Sequence, residues 1–221
     1  MSVLTLENVT YKYDGTTKTV LKNINTSFEQ AKLYVIIGKS GAGKSTVLSL
    51  ISGLDTATSG SIYYTGKDMK SLDRDKYRAE SIGVIFQGYN LLTNATALEN
   101  IVLSMNISGS KVKNKQQFAL DILSKVGIDE ETAKRKVLKL SGGEQHRVGI
   151  ARALSHNPDI IIADEPTGNL DGDTEENIMG ILQKLARTEG KCVIIVTHST
   201  SVSNYADELL GLNAGKLEAI R

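Results

Sequence analysis

Residues 38–45 read GKSGAGKS and lie directly between an apolar run, LYVII, and a helical pattern, TVLSLIS. This spacing fits G-x-x-x-x-G-K-[ST], a loop whose backbone N–H groups turn inward around phosphate oxygens. Lys44 would supply a charge to the outer phosphates, and the Ser45 hydroxyl would bind Mg²⁺. An ordinary Gly/Ser turn is the alternative, but such a turn requires neither the strand before it nor the helix after it. The loop therefore predicts a nucleotide-binding protein of the α/β class.

Four apolar runs of strand length recur along the chain, at residues 33–37, 83–86, 159–163 and 192–196. Continuous apolar runs are typical of parallel strands that are buried on both faces of a sheet. Alternating patterns in LTLENVTYKY and TVLKNINTSFE, and around Ala214 and Gly215, indicate antiparallel hairpins. Residues 91–154 carry no convincing strand pattern, so we expect an all-helical lobe inserted between two strands.

Charge and cysteine content exclude several classes of protein. The 26 Lys and Arg residues nearly balance the 25 Asp and Glu residues and leave a formal net charge of +1. A protein that gathers nucleic acid through a general basic field is therefore excluded. The single cysteine, Cys192, lies in an apolar run, which predicts an inert buried thiol in a reducing compartment.

The N-terminal sequence predicts a first strand instead of a signal peptide, and every apolar run is shorter than the ~20 residues of a membrane-spanning helix. Any membrane link is expected to come through a partner.

Two further segments carry candidate chemistry. Asp164 and Glu165 end the apolar run DIIIA, and the carboxyl edge of a parallel sheet is where open α/β folds bind ligands. Asp164 suits a Mg²⁺ ion and Glu165 suits an attacking water, although two solvated loop carboxylates are the alternative. Residues 140–144, LSGGE, come just before a helical pattern, so they are either a second phosphate-binding surface or an ordinary helix cap.

Taken together, the ordered segments GKSGAGKS, VIFQ, LSGGE, IIIADEPTGNLD and VIIVTHS resemble the ATP-binding cassette (ABC) ATPases over nearly the whole chain. The strings ADEPTGNLD, LDTATSG and TALENI are similar to the macrolide-efflux and lipoprotein-release branch of that family. The resemblance implies a P-loop NTPase with a RecA-like mixed sheet core, an N-terminal antiparallel β subdomain and an inserted helical subdomain. It also implies one domain, 1–221, with the nucleotide-binding core at 1–90 and 156–221 and the helical subdomain at about 91–155.

The resemblance implies a role for each matching position. Glu165, His198 and Gln87 would be catalytic, and Ser45, Gln87 and Asp164 would bind Mg²⁺. Tyr13 would stack on adenine, with Tyr11 as the alternative, while His146 and His156 are expected to be ordinary histidines on a helix surface. The residues implied to contact ATP are Tyr13, Gly38, Lys39, Ser40, Gly41, Ala42, Gly43, Lys44, Ser45, Thr46, Ser141, Gly142, Gly143, Glu144 and Asp171, the last within the D-loop Asn169-Leu170-Asp171.

The chain departs from the family pattern at three places. Glu144 ends the LSGGE segment where many relatives have Gln, Ser199 follows His198 where Asp is common, and Ala31-Lys32 stand where Gly-Glu is usual. None of these differences removes a group that the chemistry requires. Glu144 would add a carboxylate near bound phosphate, and Ser199 would loosen the hydrogen bonding around His198.

The partners that the resemblance implies are a second copy of the chain, packed head to tail around ATP, and a separately encoded membrane permease. Residues 88–92 are expected to form the groove for the permease, with core packing of Leu91 and Leu92 as the alternative. A membrane-fusion or adaptor protein is a further implied partner, and the location is the cytoplasmic face of the membrane. The implied function is ATP-driven efflux of drugs or antimicrobial peptides. A cell-division or lipoprotein-release ATPase, or a soluble ABC ATPase without transport, is the alternative.

Overall fold

The computed structural model describes residues 2–168 and 170–220. Within them the strands are β1 (Ser2–Lys12), β2 (Thr19–Glu29), β3 (Leu33–Ile37), β4 (Ser59–Tyr64), β5 (Lys67–Asp68), β6 (Ile82–Ile85), β7 (Ile160–Asp164), β8 (Cys192–Thr197), β9 (Glu208–Asn213) and β10 (Lys216–Ala219). The helices are α1 (Lys44–Ile51), α2 (Arg74–Glu80), α3 (Ala97–Ile107), α4 (Lys115–Lys125), α5 (Glu130–Ala133), α6 (Gly142–Leu154) and α7 (Gly172–Arg187). Short 3₁₀ turns occupy Met69–Ser71, Val137–Lys139 and Ser201–Tyr205.

The central sheet has the strand order β10-β9-β3-β8-β7-β6. Strands β9, β3, β8, β7 and β6 run parallel, and β10 pairs antiparallel with β9. Successive residues of β8 contact two different cores: Val193 and Ile195 pack with the helices, whereas Ile194 and Val196 pack with the antiparallel sheet. Burial on both faces explains why these strands are continuously apolar.

An antiparallel sheet of order β2-β1-β4-β5 covers one face of the central sheet, with α1 between them. The pairing of β1 with β2 agrees with the alternating patterns near the start of the chain. The sequence reasoning missed β4, β5 and α2. In β4, SGSIYY, a single residue, Ile62, is buried, so its strand character depends on the edge that β1 offers and not on its own pattern.

Between β6 and β7 lie the four helices α3 to α6, whose apolar side chains share one core with α7 and the central sheet. Each begins at a polar cap, such as Thr96, whose hydroxyl accepts a hydrogen bond from Glu99 N at 3.1 Å. The predicted α/β architecture, with a mixed sheet, an antiparallel β subdomain and an inserted helical lobe, is confirmed. The limits of the lobe at residues 91 and 155 stay a prediction.

Cys192 is fully buried at the start of β8. Burial raises the pKa of its thiol to about 12, because the thiolate would lose its hydration. The thiol therefore stays protonated, as expected of an inert core cysteine.

The expectation that His146 and His156 are ordinary histidines on a helix surface is wrong, because His146 is buried within α6 and His156 lies in the turn after α6. His146 is 2% exposed and its ring stacks on Tyr89, with 5.1 Å between the ring centroids. His156 is half-buried, with Nε2 3.0 Å from the carbonyl oxygen of Ile82. The segment after Gln87 covers the face of α6 that carries His146, and the helical pattern of α6 alone does not contain that information.

Burial, together with the charge of the neighbouring Arg147, lowers the pKa of His146 from 6.5 to about 4. The unfolded chain therefore binds this proton more readily, and the stability gained from the neutral buried ring is present above pH 6.5 and lost as the pH falls towards 4. We expect His146→Gln to lose less stability than the wild type between pH about 7.5 and about 5. Urea unfolding at both pH values measures this. Equal losses in the two proteins would contradict the assignment.

Candidate active site

The phosphate loop, residues 38–45, joins the carboxyl end of β3 to the first turn of α1. Gly43 caps α1 with φ at 107°, in the left-handed region that favours glycine. A Cβ atom here would lie 3.0 Å from Leu21 Cδ2, so the position is also closely packed. The first-turn N–H groups of α1 have no partner within the helix, and a helix N-terminus that follows a glycine-rich loop is a typical anion site.

Lys44 lies across the loop that precedes it. Its ammonium group donates hydrogen bonds to the carbonyl oxygens of Gly38, at 2.8 Å, and Lys39, at 3.3 Å. The same Nζ lies 3.9 Å from Oε1 of Glu165, and the side chains of both residues are largely shielded from solvent. A cation is thus held between the loop and the end of β7.

The loop borders a cleft with a volume of about 960 Å³. This lies within the range of about 300–1,000 Å³ typical of small-molecule sites. The cleft runs from the antiparallel sheet to the carboxyl edge of the central sheet. Its lining is Tyr13, Thr16, Lys18, Thr19, Val20, Lys22, Lys39, Ser40, Gly41, Ala42, Gly43, Lys44, Ser45, Thr46, Gln87, Asp164, Glu165, Asn213, Ala214 and Gly215.

The Glu165 carboxylate is fixed at the ends of β7 and β8. Its Oε2 accepts hydrogen bonds from the Thr197 hydroxyl, at 2.8 Å, and from the backbone N–H of His198, at 3.2 Å. Its Oε1 lies 2.8 Å from Nδ1 of His198, whose side chain is 70% exposed. A carboxylate accepts hydrogen bonds, which assigns the proton of the imidazole to Nδ1.

Asp164 is half-buried at the end of β7. Burial raises the pKa of its carboxyl group, Glu165 raises it further, and Lys44 opposes the shift. Two neighbouring carboxyl groups beside a single ammonium group favour a further cation. Ser45 and Gln87 line the same cleft, and no cluster of three or more His, Cys, Asp or Glu within the described residues can hold a metal. The residues therefore fit a Mg²⁺ ion that takes most of its ligands from phosphate and water.

Gln87 follows β6 and reaches the turn after Glu165. A Cβ atom on Gly168 would lie 2.9 Å from its Nε2, so glycine at this position leaves room for the Gln87 amide. The next residue along the chain, Asn169 of the D-loop, lies outside the described residues.

The structure separates the two candidate stacking tyrosines. Tyr13 lines the cleft with half its surface exposed, and its hydroxyl lies 2.9 Å from Oγ1 of Thr46. Tyr11 is buried, does not line the cleft, and donates its hydroxyl proton to Asp55. That hydrogen bond, with burial, raises the pKa of Tyr11 to about 12. Of the two, only Tyr13 offers a ring face to a ligand in the cleft.

The signature segment, residues 140–144, does not line the cleft. Ser141 caps α6: its Oγ accepts a hydrogen bond from Glu144 N at 3.2 Å, and Glu144 Oε2 accepts one from Ser141 N at 2.7 Å. These bonds lower the pKa of Glu144. Asp171, also outside the cleft, caps α7 through Thr174 N at 2.8 Å. The carboxylate of Glu144 is thus held by its own helix, and the expectation that it lies near bound phosphate stays a prediction.

Sequence reasoning missed several residues of the site. Lys18 and Lys22 line the cleft, as does the turn at residues 213–215. Thr197 was also missed, although a polar residue at the end of the run CVIIV and directly before His198 was a usable signal. Nothing in the local sequence marks the two lysines, because the folding of β2 against the loop brings them to the cleft.

The described residues contain no helix that combines the length and the apolar character needed to cross a lipid bilayer.

Comparison with known proteins gives one consistent family. A profile described as ABC transporter matches residues 21–168. YclH of Bacillus subtilis, an uncharacterised ABC transporter ATP-binding protein, is 46% identical over 97% of this chain and 95% of that protein. The macrolide export ATP-binding/permease protein MacB of Mannheimia succiniciproducens is 42% identical over 90% of this chain, which corresponds to 31% of MacB.

Solved structures give the same result. The dimeric structure of MJ0796, an ABC transporter cassette, has a TM-score of 0.86 and 38% identity, and the match covers 99% of both chains. A dimeric post-hydrolysis state of MJ0796, bound to ADP and Pi, has the same TM-score and identity. The similarity therefore extends over the whole fold and includes both sheets and the helical lobe.

The capping box at the start of α6 predicts how substitutions of Glu144 behave. Gln can accept the same bond from Ser141 N, so we expect Glu144→Gln to leave the free energy of unfolding nearly unchanged. Glu144→Ala removes the acceptor and is expected to cost roughly 1 kcal/mol. Chemical denaturation of the three proteins tests this, and equal stability of the Ala and Gln variants would contradict the capping role.

Proposed function

The chain belongs to the ABC transporter family, and from this premise we propose that it is the ATP-hydrolysing subunit of a transporter whose membrane-spanning part is a separate protein. The observation that carries the proposal is the grouping of Lys44, Asp164 and Glu165 around one loop, with Lys44 Nζ 3.9 Å from Glu165 Oε1. A cation for phosphate, a carboxylate for metal and a carboxylate for water then lie at one sheet edge.

Each group has a distinct part in the proposed reaction. The N–H groups at the start of α1 and the ammonium of Lys44 bind the phosphates, and the ring of Tyr13 stacks on the base. Ser45 and Asp164, with Gln87 beside them, would hold Mg²⁺, which supplies positive charge to the phosphate oxygens.

Glu165 accepts a proton from the attacking water. The bond between that water oxygen and the γ-phosphorus forms as the bond from the γ-phosphorus to the bridging oxygen breaks, and ADP leaves with the electron pair. With Nδ1 of His198 directed at Glu165, Nε2 is the ring nitrogen left for the γ-phosphate.

The separation of the signature segment from the cleft supports a dimer. Ser141 caps α6 and does not line the cleft that contains Lys44. We therefore propose that Ser141, Gly142 and Gly143 contact the nucleotide bound by a second copy, packed head to tail. The dimeric assembly of MJ0796 supports this arrangement.

A second groove suits the permease. It has a volume of about 260 Å³ and lies between β6 and helices α3 and α6. Leu54, 62% exposed, and Phe86, 37% exposed, give it an apolar surface, and Arg152 gives it positive charge, whereas Arg78 pairs with Asp75. Such a groove suits an amphipathic helix with an acidic residue.

Residues 88–92 do not line this groove. Tyr89 stacks on His146, Arg152 donates a hydrogen bond to the carbonyl oxygen of Asn90, and Leu91 packs against the core. Leu92 is 54% exposed. The segment connects Gln87 to α6, whereas the proposed docking groove is lined by residues that precede Gln87, Val84 and Phe86, and by Arg152.

For the transported cargo we propose efflux of the MacB type, which the 42% identity to MacB supports. A lipoprotein-release or cell-division role is the second candidate, because the residues of the ATP site do not distinguish these roles from efflux.

The proposed location is the cytoplasmic face of the membrane, by attachment to the permease. The proposal includes no adaptor, since no feature of the described residues argues for one.

Two variants test the ATP chemistry. Glu165→Gln removes the proton acceptor while keeping the size of the side chain, so we expect it to bind ATP but to lose more than about 100-fold in kcat.

Lys44→Ala removes the charge that faces the phosphates and is expected to weaken ATP binding by about tenfold or more. Calorimetry and steady-state turnover measure the two effects.

The Glu165→Gln variant should also form a dimer with ATP on a sizing column, because the nucleotide is not consumed. Its normal turnover would refute the role of Glu165, and unchanged ATP affinity of Lys44→Ala would refute that of Lys44.

The docking groove is tested in native membranes. Tagged Glu165→Gln protein, purified with ATP from detergent extracts, should bring down a permease that mass spectrometry identifies. Adding Leu54→Glu should abolish this recovery, because a carboxylate would enter an apolar contact. Ile220→Glu is the matched control, since Ile220 is 56% exposed and does not line the groove. Equal recovery from both variants would show that the permease docks elsewhere.

A further inference from the structure

We propose that Thr197 is a positioning residue for hydrolysis, whose hydroxyl holds one oxygen of the Glu165 carboxylate so that the other faces the reacting water. The inference rests on the proposed function, because it assumes that Glu165 accepts the proton of that water. Thr197 does not line the cleft, so the inference adds a residue from outside the cleft to those that take part in hydrolysis.

The hydrogen bonds of Thr197 have only one possible direction. Thr197 is the last residue of β8 and is fully buried. Its Oγ1 accepts a hydrogen bond from the backbone N–H of Ser199 at 3.0 Å, so its own proton is free for a different partner. That partner is Oε2 of Glu165, at 2.8 Å. A hydroxyl has one proton, and here it is donated to the carboxylate.

The two oxygens of Glu165 have different surroundings. Oε2 receives the Thr197 hydroxyl and the backbone N–H of His198, at 3.2 Å. Oε1 lies 2.8 Å from His198 Nδ1 and 3.9 Å from Lys44 Nζ. Oε2 is therefore anchored to the end of β8, and Oε1 is the oxygen left on the side of the phosphate loop.

The backbone of Glu165 cannot provide this orientation alone. Its φ is 48°, in the left-handed region, and its N–H donates to Val196 O at 2.8 Å, which fixes where the side chain begins. The rotatable bonds of the side chain still have to be fixed, and a bond to a rigid buried strand does this at low entropic cost. Thr197 supplies the side-chain donor of that anchor.

The matched test uses Thr197→Ser and Thr197→Ala, which differ from each other only by the hydroxyl. We expect Thr197→Ser to keep kcat within about twofold of wild type, and Thr197→Ala to lose about tenfold in kcat with KM for MgATP nearly unchanged. Thr197→Val is a third variant that keeps the branched shape and lacks the donor, so it should behave as Thr197→Ala does. Thermal unfolding confirms that each variant is folded in the assay.

Each variant is also combined with Glu165→Gln. If Thr197 acts through the carboxylate, Thr197→Ala should leave the residual rate of Glu165→Gln unchanged, because the two groups act as a unit. A further tenfold loss in that background would indicate a purely structural role and overturn the inference. Loss of kcat in Thr197→Ser equal to that in Thr197→Ala would overturn it as well.

Failure of the proposed function would look different. Normal turnover of Glu165→Gln by itself would remove Glu165 as proton acceptor and, with it, the basis for Thr197. If Glu165→Gln is inactive while Thr197→Ala and Thr197→Val turn over normally, the proposed function stands and the Thr197 inference alone is wrong.

Discussion

Parallel pairing of β3, β8 and β7 brings the ends of three strands to one edge of the central sheet. The phosphate loop follows the first of these strands, His198 follows the second, and Asp164 ends the third. Their side chains are far apart in sequence, and only the register of the ladder makes them neighbours. Because both faces of this sheet are packed against apolar cores, a slip of one residue would exchange the two cores, so the register is strongly fixed. The chemistry of the edge depends on that rigidity.

The charges at this edge stabilise one another. Lys44 and Glu165 are largely shielded from solvent, and each has several hydrogen-bond partners: loop carbonyl oxygens for the ammonium, and Thr197 and His198 for the carboxylate. Shielded ionic groups are tolerated only with such partners, and here the partners also set their direction. A site built in this way needs little rearrangement to receive a highly charged ligand, which is how electrostatic preorganisation lowers a reaction barrier.

The helical lobe connects this edge to a distant surface. Helix α6 begins after its capping residue Ser141, and its side chains hold the segment after Gln87 at two points. His146 lies about one and a half turns along the helix, under Tyr89, and Arg152 lies about three turns along, on Asn90. Gln87 itself lines the cleft. A contact made at Ser141 by a second copy would therefore act on the same rigid helix that holds the Gln87 segment. The proposed docking groove is lined by Phe86, one residue before Gln87, and by Arg152 of α6, so it adjoins the segment that follows Gln87.

The sequence by itself determined the phosphate loop, the buried parallel strands, the helical lobe and the order of the family motifs. These features are local, since the spacing of glycines, apolar runs and helix periods is written within a few residues. Only the tertiary structure decided between Tyr13 and Tyr11, buried His146, and brought Lys18, Lys22 and Thr197 to the site. For Tyr11, His146 and Thr197 the deciding partners, Asp55, Tyr89 and Glu165, lie more than 30 residues away in the chain. Strand β4 became a strand for the same reason, because its hydrogen-bonding edge is supplied by β1 and not by its own residues.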